Sequence, residues 1–169
     1  LLSGLSSAGV PSNLSGTAIP FDYNDLEKFK NLIKSQRGQV AAVYMEPVRS
    51  FSPDPGFLEE IRDITSSEGI VLIFDEITSG FRINEGGVHM SLGVMPDIAV
   101  FGKALGNGFP ISAMIGKAEP MAAIQDTFVS STFWTERVGF TAALATLEKF
   151  KKFEVHKHLI KSGCAVNTA

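Results

Sequence analysis

The sequence predicts an α/β fold, a mostly parallel sheet covered by helices on both faces. Three observations carry that expectation. Four short apolar runs, "VAAVYM", "IVLIF", "DIAVF" and "ISAMI", have the length of strands and lack the alternation of a half-solvated sheet. Stretches of helical periodicity lie before, between and after these runs, the pattern of helices packing on a parallel sheet. Glycine and proline punctuate the junctions.

Each element has a local reason. The first two dozen residues are rich in Ser, Gly and Pro and read as loop. Asn24 precedes "DLEKFKNLIKSQ" as the cap of a helix over residues 25–36, Glu27 completes a capping box, and Gly38 stops it. The continuous apolar run at 40–45 reads as a strand buried on both faces. Asp54 and Pro55 open a second helix as N-cap and first residue, with Phe57, Leu58, Ile61 and Ile64 as its apolar stripe. Gly69 closes it, and residues 70–74 form a second buried strand. Residues 97–101 and 111–115 are two more strands. Residues 138–152, with Leu144, Leu147 and Phe150, form a helix.

Composition narrows the function classes. The 169 residues are 44% hydrophobic and 20% charged, enough for one domain-sized core. A net charge of -3 gives no electrostatic footprint for nucleic acid, and no basic stripe marks a membrane surface. No apolar run reaches the ~18 residues of a transmembrane helix. The single cysteine, Cys164, excludes an internal disulfide framework and fits a reducing, cytoplasmic compartment. His89, His156 and His158 show no metal-ligand spacing. The beginning "LLSGLSSAGV" has no charged stretch ahead of an apolar core and does not read as a signal peptide. The chain is expected to be a piece of a longer protein, incomplete at both ends.

In a parallel sheet, ligands bind at the carboxyl ends of the strands. Glu46 ends the first run, Asp75 and Glu76 the second, and Lys103 the third, in "FGKALGNGFP". A strand exit into a glycine-rich turn accounts for such a lysine without any function. Two chemistries would use the acid and the lysine together. Nucleotide hydrolysis is the remote alternative: "IVLIFDE" has the look of a Walker B strand, but Ala104 follows Lys103 where a P-loop needs Ser or Thr. Pyridoxal phosphate chemistry needs a lysine to form a Schiff base with the cofactor and an acid to hold the ring nitrogen protonated. Gly102, Gly106 and Gly108 would then clear the lysine's surroundings for a flat cofactor.

"IVLIFDEITSGFR" followed by "FGKALGNGFPISAMIG" resembles the paired motif of class-III (ω-type) aminotransferases of fold type I, nearest to the glutamate-1-semialdehyde aminomutase subgroup. The resemblance runs from about Gly9 to Phe150. It implies pyridoxal 5'-phosphate as cofactor, a small-molecule amino donor and carbonyl acceptor, and a homodimer. Lys103 would be the catalytic Schiff-base lysine, Asp75 would pair with the ring nitrogen, and Ile77 would pack on one ring face. Thr132, in "SSTFW", would reach the cofactor phosphate of the neighbouring subunit, although a Ser/Thr turn before a helix explains it equally well. Residues 1–150 would be part of the cofactor-binding large domain, and 151–169 the start of a segment leading to a C-terminal small domain. Such a piece is expected to be inactive alone. Phe133, Trp134 and Arg137 depart from the small residues and Asn-Pro of the aminomutase pattern, which leaves both intermolecular transfer and aminomutase chemistry open. Thr78 stands where relatives carry glutamine or methionine. Lys117 reads as a solvated lysine at a helix start.

Overall fold

β1 (Ala42–Met45), β2 (Val71–Asp75), β3 (Ile98–Phe101) and β4 (Ala113–Gly116) form one four-stranded sheet in chain order. β1, β2 and β3 run parallel, and β4 is antiparallel to β3. This is the mostly parallel α/β sheet expected. The computed structural model describes Ser6 and residues 8–168; within the loop expected over the first two dozen residues, the described part is irregular apart from a single 3-10 turn, Ser12–Leu14.

The register explains the core. Val43 pairs with Leu72 and Met45 with Phe74, and Phe74 in turn pairs with Ala99, so these side chains share one face. Two helices, α1 (Leu26–Ser35) and α2 (Phe57–Ser67), cover that face with Phe29, Ile33, Phe57, Leu58 and Ile61. Each such side chain contributes about 1.5–3 kcal/mol by leaving water. Two short helices follow, α3 (His89–Leu92) and α4 (Ala118–Ala122). A long one, α5 (Arg137–Lys152), packs Ala143 and Leu147 near Ala99, Phe101 and Leu105 at the far end of β3.

Several local expectations change. Asp25, not Asn24, caps α1, its carboxylate accepting from the Lys28 N–H at 3.0 Å. Asn24 takes φ 63° and ties to the 52–54 loop, donating to Ser52 O (3.1 Å) and accepting from Asp54 N–H (3.0 Å). Asp54 and Pro55 therefore belong to a turn, closed by Phe57 N–H on Asp54 O, and α2 starts after Gly56 at φ 84°. β1, β2 and β3 all alternate between buried and less buried residues, most strongly in the terminal strand β1 with Tyr44 55% exposed, where burial on both faces was expected. β4 starts at Ala113, the partner of Phe101, two residues later than expected. Beyond α5, Val155–Asn167 forms a helix, α6, that the sequence reading did not anticipate.

Candidate active site

Asp75 closes β2. Its Oδ1 accepts the Ile77 N–H at 2.9 Å, and its Oδ2 accepts the Tyr44 hydroxyl from β1 at 2.5 Å. Partial burial of that hydroxyl, then the hydrogen bond and charge of Asp75, raise the Tyr44 pKa to about 12. Tyr44 thus stays a donor across the whole working range of a protein. Nothing in the apolar run "VAAVYM" signals this role. It depends on the register of a second strand.

β3 ends at Phe101, and Lys103 opens a single 3-10 turn, Lys103–Leu105. Lys103 has φ 42°, in the left-handed region, where a residue with a side chain costs on the order of 1 kcal/mol. Its Nζ donates to Thr78 Oγ1 at 2.8 Å. Asp75 pairs with Val100, and Glu76 N–H bonds Val100 O at 2.8 Å, so the segments after β2 and β3 lie side by side. Ile77 lies over Gly102, where an added Cβ would stand 3.5 Å from Ile77 Cγ2. Asp75, Ile77 and Lys103 therefore share one sheet edge, as the sequence expects, and Thr78 joins them. Thr132 is exposed in the turn before α5 and is not among the residues lining the groove beside Lys103. That open groove, of about 830 Å³, runs between the 103–109 turn and α5–α6, with Arg82, Phe109 and Lys149 on its walls.

Other charges turn away from the edge. Glu76 is fully buried and accepts from the Ser79 hydroxyl, Val88 N–H (3.0 Å), His89 N–H (2.9 Å) and His89 Nδ1 (2.8 Å). Burial works against its charge, yet these bonds outweigh it and hold the carboxyl below the usual range. Its task is to fold the 76–89 loop back on itself. The signal was available, since successive strand residues point to opposite faces and Asp75 takes the site face. Glu46 Oε1 bonds Arg49 at 3.0 Å. Lys117 is solvated, as expected, and from that exposed position its Nζ also pairs with Asp97 Oδ1 at 2.7 Å. Among the described residues, no group of His, Cys, Asp or Glu is arranged to hold a metal ion, and no helix is long and apolar enough to cross a membrane.

A family model described as Aminotransferase class-III matches residues 11–167. The chain belongs to the class-III aminotransferases. Among curated relatives, it is 36% identical to the 3-aminobutyryl-CoA aminotransferase of Cloacimonas acidaminovorans (strain Evry), over 94% of this chain and 44% of that protein. It is 39% identical to the glutamate-1-semialdehyde 2,1-aminomutase of Citrifermentans bemidjiense, over 86% of this chain and 36% of that protein. The FumI protein of Sphingopyxis sp. MTA144, solved in its PLP internal aldimine form, matches with a TM-score of 0.84 at 30% identity, covering 89% of this chain and 38% of that one. An omega-transaminase from Sphaerobacter thermophilus matches with a TM-score of 0.78 at 33% identity, over 85% of this chain and 35% of that one. This class-III chain thus spans less than half the length of each of these proteins. Its fold is the α/β fold of these transaminases, and family membership decides against the nucleotide-hydrolase alternative.

Proposed function

We propose that Lys103, Asp75 and Ile77 bind pyridoxal 5'-phosphate, and that the whole protein transfers an amino group from an amino donor to a carbonyl acceptor. The observation that carries this reading is a strained lysine and a doubly held carboxylate on neighbouring strand ends. The donor set fits the cofactor. A lysine amine, a carboxylate and an apolar side chain, with a glycine between lysine and strand, match an aldehyde, a ring nitrogen and a flat ring face.

When bound, the cofactor supplies an aldehyde carbon that accepts the amino group and a protonated ring that withdraws electrons from the reacting carbon. Lys103 Nζ would hold that aldehyde, and its amine would serve to carry a proton to and from the reacting carbon. Asp75 keeps the ring nitrogen protonated by charge and hydrogen bond. Ile77 packs on one ring face. Thr132 reaches the phosphate held by a second copy of the chain, which makes the working unit a homodimer. Overall the donor leaves as a carbonyl compound and the acceptor as an amine. Residues 1–150 belong to the cofactor-binding domain, and 151–169 lead towards a smaller one. The single, exposed Cys164 supports a cytoplasmic setting.

A second reading is intramolecular transfer of the aminomutase type, favoured by the 39% identity to the Citrifermentans aminomutase. Phe133, Trp134 and Arg137 favour the intermolecular reaction. Borohydride reduction of the full-length protein, followed by peptide mapping, tests the site. The pyridoxyl group is expected on Lys103; finding it on Lys117, or on no lysine of this chain, refutes the assignment.

A further inference from the structure

We infer that Tyr44 is a positioning residue for Asp75, locking the carboxylate in the rotation that presents it to the ring nitrogen of the cofactor. The inference rests on the cofactor-binding reading above and adds a residue that neither motif contains. The β1–β2 register pairs Tyr44 with Ile73, so Asp75 is its diagonal neighbour two positions on and on the same face. From there the hydroxyl reaches Oδ2 at 2.5 Å while the Ile77 N–H holds Oδ1 at 2.9 Å. One donor comes from the aspartate's own turn and the other from the next strand. With a different donor on each oxygen, both side-chain torsions are fixed, and the ionised carboxylate still has lone pairs free to accept. Held by the turn alone, the carboxylate could rotate out of line with the ring.

Packing does not account for a tyrosine here. Its neighbours Val43 and Met45 fill the core, whereas Tyr44 is half-exposed and its hydroxyl is engaged by Asp75. The charged groups acting on that hydroxyl are Asp75 and, more weakly, Glu46; with partial burial they keep it protonated.

The test is a double-mutant cycle on the full-length protein in a Lys103→Ala background, where no covalent bond contributes to cofactor binding. Pyridoxal 5'-phosphate affinity is measured by equilibrium dialysis, alongside thermal unfolding of the cofactor-free variants. Tyr44→Phe is expected to weaken binding roughly ten-fold when Asp75 is present, the size of one hydrogen bond to a charged group. With Asp75→Asn already in place, the same substitution is expected to weaken it no further. Tyr44→Ile, a good strand former without a donor, must give the same pattern and serves if Tyr44→Phe does not fold. Equal losses in both backgrounds, or none in either, overturn the inference and leave the site reading intact. An Asp75→Asn variant that binds the cofactor as tightly as its parent overturns the site reading itself.

Discussion

The three glycines around Lys103 separate by cause once the structure is known. At Gly106 an added Cβ would stand 2.2 Å from Phe109 O, so packing demands glycine. At Gly108 a φ of 102° demands it. Gly102 has neither reason: its φ of -167° is open to any residue, and a Cβ would make only an ordinary contact with Ile77 at 3.5 Å. Of the three, Gly102 alone is left without a backbone or packing reason to be glycine, so the expectation of space cleared for a cofactor narrows to it. Gly102→Ala should leave the thermal stability of the cofactor-free full-length protein within about 1 kcal/mol of the parent. Its affinity for pyridoxal 5'-phosphate should fall at least about ten-fold, because the new methyl group enters the space beside the lysine. Gly106→Ala should instead cost about 1–3 kcal/mol of stability whether or not cofactor is present. Equal destabilisation by the two substitutions in thermal unfolding would contradict this division. Asp75 and Lys103 were legible because each is a local event, a charge ending an apolar run. Tyr44 was not, because its partner arrives from another strand; strand alternation turns Glu76 away from the site, but its partners at the far end of a loop could not be read.

Between elements, the strongest tie is Asp97. Its Oδ2 accepts from Arg62 of α2 at 2.9 Å and from the Leu72 N–H of β2 at 2.8 Å, while Oδ1 pairs with Lys117 after β4. Burial opposes its ionisation, but the bonds from Lys117, Leu72 and Arg62 prevail and hold its pKa below the ordinary aspartate value. A carboxyl with a depressed folded-state pKa contributes stability above its unfolded pKa, about 3.9, and loses it as the pH falls through the folded value. Glu76 acts in the same direction. The structure should therefore hold its stability through the neutral range and lose it below about pH 4. Asp97→Asn should lower stability at neutral pH by about 2 kcal/mol or more, since Arg62 is left largely buried and uncompensated, and should make the acid limb shallower. Unfolding temperature against pH for parent and variant checks this; coincident curves would exclude it. Helices α1, α2 and α5 were readable from periodicity and the four strands from their apolar runs, their ends less so, while α6 was not read at all. Asn24 and Asp25 are both competent caps, and only the 52–54 loop, which engages Asn24, decides between them. An apolar run such as "VAAVYM" also reads the same whether its strand is central or terminal.

For the whole molecule, the four-stranded sheet ends in two strands, β1 and β4, whose outer edges are unpaired among the described residues. A groove lined by Ala18, Phe21, Val40 and Val43 runs beside β1, and Met114 and Ile115 are exposed on β4. Ahead of and along α5, Phe128 is 96% exposed, and Phe133, Trp134, Phe140 and Leu144 are also open. Unpaired strand edges accept further strands, and apolar area on this scale is unusual on a free monomer. The curated relatives are more than twice as long as the part matched here, so further chain of the kind those relatives have, or a second copy, would suit such surfaces. The 169 residues expressed alone should accordingly self-associate at micromolar concentration and show no amino transfer. The driving force is apolar, and a net charge of -3 offers little repulsion. Association should therefore strengthen with sulfate and weaken on cooling, the opposite of a salt-bridged assembly. Light scattering across concentration, salt and temperature measures this directly. A monodisperse monomer of the isolated chain would show that the edges and the aromatic surface are closed by the chain's own fold.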